Sequence, residues 1–251
     1  GLTAYPSWYI IDASSTEIFE IGYGYLNSIS KKTGKTYAEG AIVYMEFPQG
    51  MTSVRNNGVF GKKDNGNPYE INVTDFHIPK TVSSIAGNAF NSMPKLENVF
   101  IEPGNTISQI NSGTFSTVKY VQVENLKEIT SIDGFTKCGF TGDLDLSNCT
   151  KLKTISNGCF QNSGSIGKIT LPDSVETIGD NAFEGVGSGY LASPYLPASL
   201  NYVGQRFFAY CGAINDTFIF PEGVTSIGNE PFQDSKVAGG PAGKELNLVF
   251  L

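Results

Sequence analysis

Apolar positions along most of this chain recur in one fixed order. Leu171-Pro-Asp-Ser-Val-Glu-Thr-Ile-Gly-Asp-Asn-Ala-Phe183 has the same form as Ile78-Pro-Lys-Thr-Val-Ser-Ser-Ile-Ala-Gly-Asn-Ala-Phe90. Leu196-Pro-Ala-Ser-Leu-Asn-Tyr-Val-Gly-Gln-Arg-Phe-Phe208 and Phe220-Pro-Glu-Gly-Val-Thr-Ser-Ile-Gly-Asn-Glu-Pro-Phe232 follow it too. The template is apolar-Pro-x-x-apolar-x-x-apolar-Gly-x-x-x-Phe. Its last residue recurs at Phe60, Phe90, Phe115, Phe135, Phe160, Phe183, Phe208 and Phe232, with gaps of 20 to 30 residues. Self-similarity at such a period marks stacked supersecondary units. Each unit predicts a short strand before the Pro, as in Ile166 to Leu171, with side chains alternating inward and outward. Pro ends the strand because it has no ladder donor. The Val-x-x-Ile segment predicts a second short extended piece, and the Gly or Asn after it is expected to permit a turn. The Phe then enters the core beneath the next coil. No unit can bury its apolar side alone, so stacking must supply the stability. The unit ending at Phe135 is short and lacks the Pro. The unit ending at Phe160 carries Ser147 in its place, followed by an insertion from Asn148 to Leu152.

The repeated Leu-Pro-x-Ser-Val-x-x-Ile-Gly-x-x-Ala-Phe pattern resembles the BspA-type leucine-rich repeat, over about residues 42–235. The resemblance implies a mostly β repeat solenoid. The expected form is a right-handed leucine-rich-repeat superhelix of about eight units, with a parallel sheet on the concave side and short strands and turns on the convex side. It also implies a bacterial protein at the cell surface or secreted. Some members of that family bind host matrix proteins, and many have no assigned role.

Residues 1–41 fall outside the period and are rich in aromatics, among them Tyr5, Trp8, Tyr9, Phe19 and Tyr23. They read as an N-terminal cap of strands and turns, since terminal repeats are atypical. An aromatic ligand platform around Trp8 is the alternative. Residues 236–251 read as a closing loop followed by one more strand, in which Leu246, Leu248 and Phe250 alternate. The chain opens Gly1-Leu2-Thr3 without Met or a secretory leader, which reads as a processed start.

Composition narrows the function by exclusion. Charged residues are only 16% of the 251 and the net charge is −7, so neither nucleic acid nor an anionic membrane is an expected partner. No run approaches the roughly 18 apolar residues of a membrane span, so no insertion is expected. The four cysteines show no Cys-x-x-Cys spacing, and Cys138 and Cys211 each lie three residues after a template Phe. All four are expected to be buried free thiols that pack as small hydrophobes. The single histidine, His77, lies in the strand before Pro79 and has no partner set for a metal or a nucleophile. Asp143 and Asp145 share a strand face. They read as a solvated acidic pair, with weak calcium binding as the sharper alternative. No Gly-x-Ser-x-Gly elbow or glycine-rich phosphate loop occurs, so no catalytic residue, metal or cofactor is expected.

What remains is a presented surface. Strand alternation places Tyr44 and Glu46, Asp75 and His77, Asn98 and Phe100, and Tyr120 and Gln122 outward on the concave face. Asp143 and Asp145, Lys168 and Thr170, Ser193 and Tyr195, and Thr217 and Ile219 continue it. Exposed aromatics on a rigid face often anchor protein interfaces, although strands favour aromatics in any case. The candidate binding residues are therefore Tyr44, His77, Phe100, Tyr120, Gln122, Asp143, Asp145, Lys168 and Tyr195. The expected function is a non-catalytic, monomeric module binding a protein or glycan partner. A stalk or spacer without a ligand is one alternative. A stacked-coil carbohydrate-active enzyme is another, though its groove would need a cluster of charged groups that the outward positions lack.

Overall fold

The computed structural model describes residues 7–12, 18–22, 42–46, 52–54, 74–90, 96–115, 118–187, 190–193, 195–237 and 245–251. Strands β1 (Ser7–Asp12) and β2 (Ile18–Gly22) form an antiparallel pair, and β1 also runs antiparallel to β3 (Ile42–Glu46). From β3 onward every pairing among the described residues is parallel and joins one coil to the next. A first ladder, made by the strands that precede the Pro positions, continues through β5 (Asp75–Ile78), β7 (Asn98–Ile101) and β8 (Tyr120–Val121). It resumes in β10 (Thr141–Asp145), β12 (Ser165–Thr170) and β14 (Tyr190–Leu191), and again in β16 (Thr217–Phe220) and β18 (Asn247–Phe250). A second ladder of two-residue strands joins β4 (Ser53–Val54) to β6 (Ser84–Ile85). It continues through β9 (Ser131–Ile132), β11 (Thr154–Ile155), β13 (Thr177–Ile178), β15 (Tyr202–Val203) and β17 (Ser226–Ile227). Single bridges at Ile110 and Gln109 connect its two parts. The fold is thus the expected parallel β-solenoid. Among the described residues the one helical element is a single 3-10 turn, Val123–Asn125.

The alternation in the sequence is the alternation in space. Phe76 and Ile78, Val99 and Ile101, Leu144 and Leu146, and Phe218 and Phe220 all point into one core and are fully or almost fully buried. The template Phe residues form a column through it. Phe90, Phe115, Phe135, Phe160, Phe183 and Phe208 stack in that order, with ring centroids 5.1 to 5.5 Å apart. Phe60 lies outside the described residues. A third column of backbone hydrogen bonds runs beside the rings. Phe135 N–H donates to the Cys159 carbonyl at 3.1 Å, Phe160 N–H to Ala182 at 2.8 Å and Phe183 N–H to Phe207 at 2.8 Å. Pro does more than end a strand. The carbonyls of Pro79, Pro172, Pro197 and Pro221 each accept the N–H three residues on, at 3.0 to 3.3 Å, so the same turn recurs in four units.

The template Gly has a different role from the one expected. At Gly179, Gly204 and Gly228 no left-handed backbone is needed, but a Cβ would lie 2.6, 2.3 and 2.2 Å from the backbone nitrogens of Asn157, Asp180 and Gln205. Successive coils touch backbone to backbone there, and only a residue without a side chain fits. The sharp turn comes two residues before the Phe. Asn88, Gly113, Gly158, Asn181, Arg206 and Glu230 occupy that place with φ between 52° and 72°. A second left-handed corner lies two residues after the Phe, at Lys137, Asn162, Gly185, Tyr210 and Asp234.

The four cysteines are free and buried, as expected. Cys138 Sγ donates to the Val118 carbonyl at 2.6 Å, and Cys211 Sγ to the Phe183 carbonyl at 3.3 Å. Burial pushes the thiols of Cys138, Cys149 and Cys211 up to about 12. Burial raises the Cys159 thiol as well.

Candidate functional site

The outward rows of the first ladder come out as three separate stretches. On β5 and β7, Asp75 lies opposite Asn98 and His77 opposite Phe100. Asn98 lies opposite Tyr120 of β8. The three rings touch in sequence: His77 and Phe100 have centroids 4.6 Å apart, and Phe100 and Tyr120 5.9 Å apart. His77 and Phe100 are half-buried by this contact, while Tyr120 stays 40% exposed. The Tyr120 hydroxyl donates to Glu124 Oε1 at 3.4 Å, and burial together with the Glu124 charge raises its pKa. Asn98 Nδ2 donates to Asp75 Oδ1 at 2.6 Å beside the rings. The backbone of Tyr44 pairs with Asp75 and that of Glu46 with His77. The side chains of Tyr44, Glu46 and Trp8 lie outside those described.

The structure separates the remaining candidates into those that hold the ladder and those that face solvent. Strand β8 stops at Val121, and beyond it the Gln122 side chain takes over. Its Oε1 accepts the Ile101 N–H at 3.3 Å while its own N–H donates to the Val99 carbonyl at 2.9 Å. Gln122 is therefore committed to the sheet edge. Asp143 works in the same way at the register shift between Gly142 and Leu144. Its Oδ1 accepts the Lys168 N–H at 2.9 Å, and its Oδ2 lies 3.8 Å from Lys168 Nζ. Asp145 Oδ1 accepts the Ser147 N–H at 2.9 Å. Hydrogen bonds from the Ser147 hydroxyl and then its N–H, helped by the Lys168 charge, lower the Asp145 pKa. The two carboxylates face solvent side by side, but each closes its own local gap. Among the described residues no group of three His, Cys, Asp or Glu is placed to hold a metal ion.

Tyr195 is the most exposed aromatic among the described residues, at 62%. Counting back from Pro197 puts Ser193 beside it in the outward row, and here the ladder differs. Lys168 pairs with Tyr190 and Ile169 with Leu191, so Tyr190, 40% exposed, holds the place expected for Ser193. Ala192-Ser193-Pro194 is an insertion between Leu191 and Tyr195. Matching Tyr190-Leu191 to Lys168-Ile169 in the preceding unit is the signal that finds it.

The BspA type leucine rich repeat family model matches residues 68–187 and 133–238, in six copies. About eight units are expected from the Phe spacing, and the unit ending at Phe60 lies before the matched stretch. No curated relative matches the sequence. Two crystal structures are similar to it. One, of a leucine rich cell surface protein from Faecalibacterium prausnitzii, is 18% identical with a TM-score of 0.43, over 83% of this chain. The chain spans about half of that protein, 54% of its length. The other, of a leucine-rich repeat protein from Bacteroides ovatus, is 15% identical with a TM-score of 0.43, over 98% of this chain and 75% of its own. With the repeat matched over more than half of its length, and with the parallel ladders and Phe column that the repeat encodes, the chain belongs to the BspA-type leucine-rich repeat family.

Proposed function

We propose that this chain is a non-catalytic interaction module of a bacterial cell-surface or secreted protein, and that it binds a protein or glycan partner through the outward face of the first ladder. The observation that carries this reading is the row of touching rings His77, Phe100 and Tyr120, held on paired strands and left partly open to solvent. Strands favour aromatics in any case, but three touching rings left partly open make a contiguous patch of the kind that partners cover. On a rigid sheet the flat ring faces enter an interface at small entropic cost, and such residues dominate binding energy where they are buried by a partner. The candidate charged groups favour no reaction, because Asp143 and Asp145 are each engaged with backbone groups and His77 packs against Phe100.

A panel of host matrix proteins and a glycan array, probed with the full chain and with the Phe100→Ala, Tyr120→Ala double variant, tests the proposal. The double variant keeps its melting temperature within a few degrees and loses at least about tenfold in affinity for the captured partner. Unchanged affinity rejects this face. Silence on every surface, with the chain monomeric, favours a spacer.

A further inference from the structure

One irregularity in the ladder opens a pocket. The stretch Lys168-Ile169-Thr170-Leu171-Pro172 reappears in the next coil as Tyr190-Leu191, then Tyr195-Leu196-Pro197, with Ala192-Ser193-Pro194 interposed. The ladder is intact on both sides. Ala192 N–H donates to the Ile169 carbonyl at 2.7 Å, and Leu196 N–H to the Ile219 carbonyl at 2.9 Å. Between these points Ala192 and Ser193 stand exposed, so the coil that should cover Leu171 passes over it. Leu171 is consequently only half-buried, whereas its counterparts Ile78, Ile101, Leu146 and Phe220 are 0% exposed. The space left is a pocket of about 130 Å³. Leu171, Leu191 and Pro197 supply apolar walls, and Thr170, Asp173 and Tyr195 supply the polar and aromatic ones. The insertion is not slack, because Ser193 Oγ accepts the Tyr195 N–H at 3.2 Å and so helps set the ring beside the opening.

We propose that this pocket receives the terminal ring of a neutral hexose glycan. This rests on the reading that the ladder face binds a partner, and names the partner's chemistry. A pyranose has one face of C–H groups and a rim of hydroxyls. The apolar walls and the Tyr195 ring match the first, while the Asp173 carboxylate as acceptor and the Thr170 hydroxyl as donor or acceptor match the second. Ligand sites have this make-up of apolar lining with a few convergent polar groups. The volume is well below the roughly 300 Å³ at which drug-sized sites begin, so it admits one ring and leaves the rest of the glycan outside. Asp173 opposes anionic sugars. Insertions in repeat arrays commonly fall on the binding face.

The probes are the methyl glycosides of glucose, galactose, mannose and N-acetylglucosamine, with N-acetylneuraminic acid as the anionic control. They are titrated into the full chain by saturation-transfer NMR and calorimetry. At least one neutral glycoside binds and the anionic sugar does not. Tyr195→Ala and Asp173→Asn, both at exposed positions, each weaken binding at least about tenfold. Deleting residues 192–194 restores the template spacing and abolishes it. The proposal is overturned if no neutral glycoside binds, if N-acetylneuraminic acid binds as well as they do, or if Tyr195→Ala leaves affinity unchanged. If no sugar binds but Phe100→Ala, Tyr120→Ala still removes a protein partner, the pocket fails while the wider reading stands. If that double variant also has no effect on any captured partner, both fail.

Discussion

Removing one ring from the middle of the Phe column should cost far more than removing one at its end, and the difference measures how the solenoid is held. Phe160 is 0% exposed and lies 5.2 Å from Phe135 and 5.3 Å from Phe183, nearly parallel to the latter at 2°. Phe→Ala in a core costs about 3–5 kcal/mol, the upper part applying where the surroundings cannot collapse into the void. Here both neighbours are pinned in their own coils, because the Phe135, Phe160 and Phe183 N–H groups each bond a carbonyl of the next coil. We expect Phe160→Ala to cost about 4–5 kcal/mol. Phe160→Leu keeps most of the volume and loses the ring contacts, so it should cost about 1–2 kcal/mol. Phe232, one coil past the last stacked ring and packed against Phe207 and Phe218, is only half-buried, and its Ala variant should cost about 2 kcal/mol. Urea unfolding followed by far-ultraviolet circular dichroism gives the three values from the midpoints at constant slope. A cost below about 2 kcal/mol for Phe160→Ala, or equal costs at Phe160 and Phe232, would refute the idea that the column is a continuous core.

The four thiols should be inert toward an aromatic disulfide reagent at pH 8 in the folded protein and should all react in denaturant without reductant; fewer than four would mean disulfides. Burial holds Cys138, Cys149 and Cys211 near 12 against an ordinary 9.0. Above pH about 9 the unfolded chain therefore releases protons that the folded chain keeps. The stability present below pH 9 is lost as pH rises toward 12, at up to about 1.4 kcal/mol per pH unit for each thiol, and Cys149→Ala should flatten the urea midpoint measured between pH 8 and 10. Lys137 is exposed at φ 59°, so Lys137→Asn, which tolerates that corner better, should raise stability by about 0.5–1 kcal/mol in the same unfolding assay. Gly204→Ala should cost about 2–3 kcal/mol, since its Cβ would lie 2.3 Å from the Asp180 nitrogen, and a neutral result would show that the coils can part there.

Most strand positions, the inward faces and the Phe column were legible in the sequence, because each rests on a short-range periodicity that repeats. The glycine's role was not. A residue that needs free backbone angles and one that needs an absent side chain look alike until the facing coil is known, and at Gly179 that coil brings the Asn157 nitrogen to 2.6 Å. The outward face was legible only as positions. Whether an outward side chain is free depends on where its strand stops pairing, and for that reason Gln122 and Asp143 turned out to be committed to the ladder while Phe100 and Tyr120 did not. Tyr190 was hidden by counting back from Pro197 through the insertion Ala192-Ser193-Pro194.

The backbone hydrogen bonds between coils lie along the stacking direction, in three columns at the first ladder, the second ladder and the Phe corner. That orientation has a mechanical consequence. Tension between the ends of the chain loads these bonds one coil at a time, as a zipper is opened, and never all together as in sheared strands. Each coil that peels away frees about 24 residues, which extend to roughly 80 Å in place of a stacking rise of about 5 Å. Pulled by flow at a cell surface, such a stack would yield in evenly spaced steps at modest force and rewind from the coils that remain.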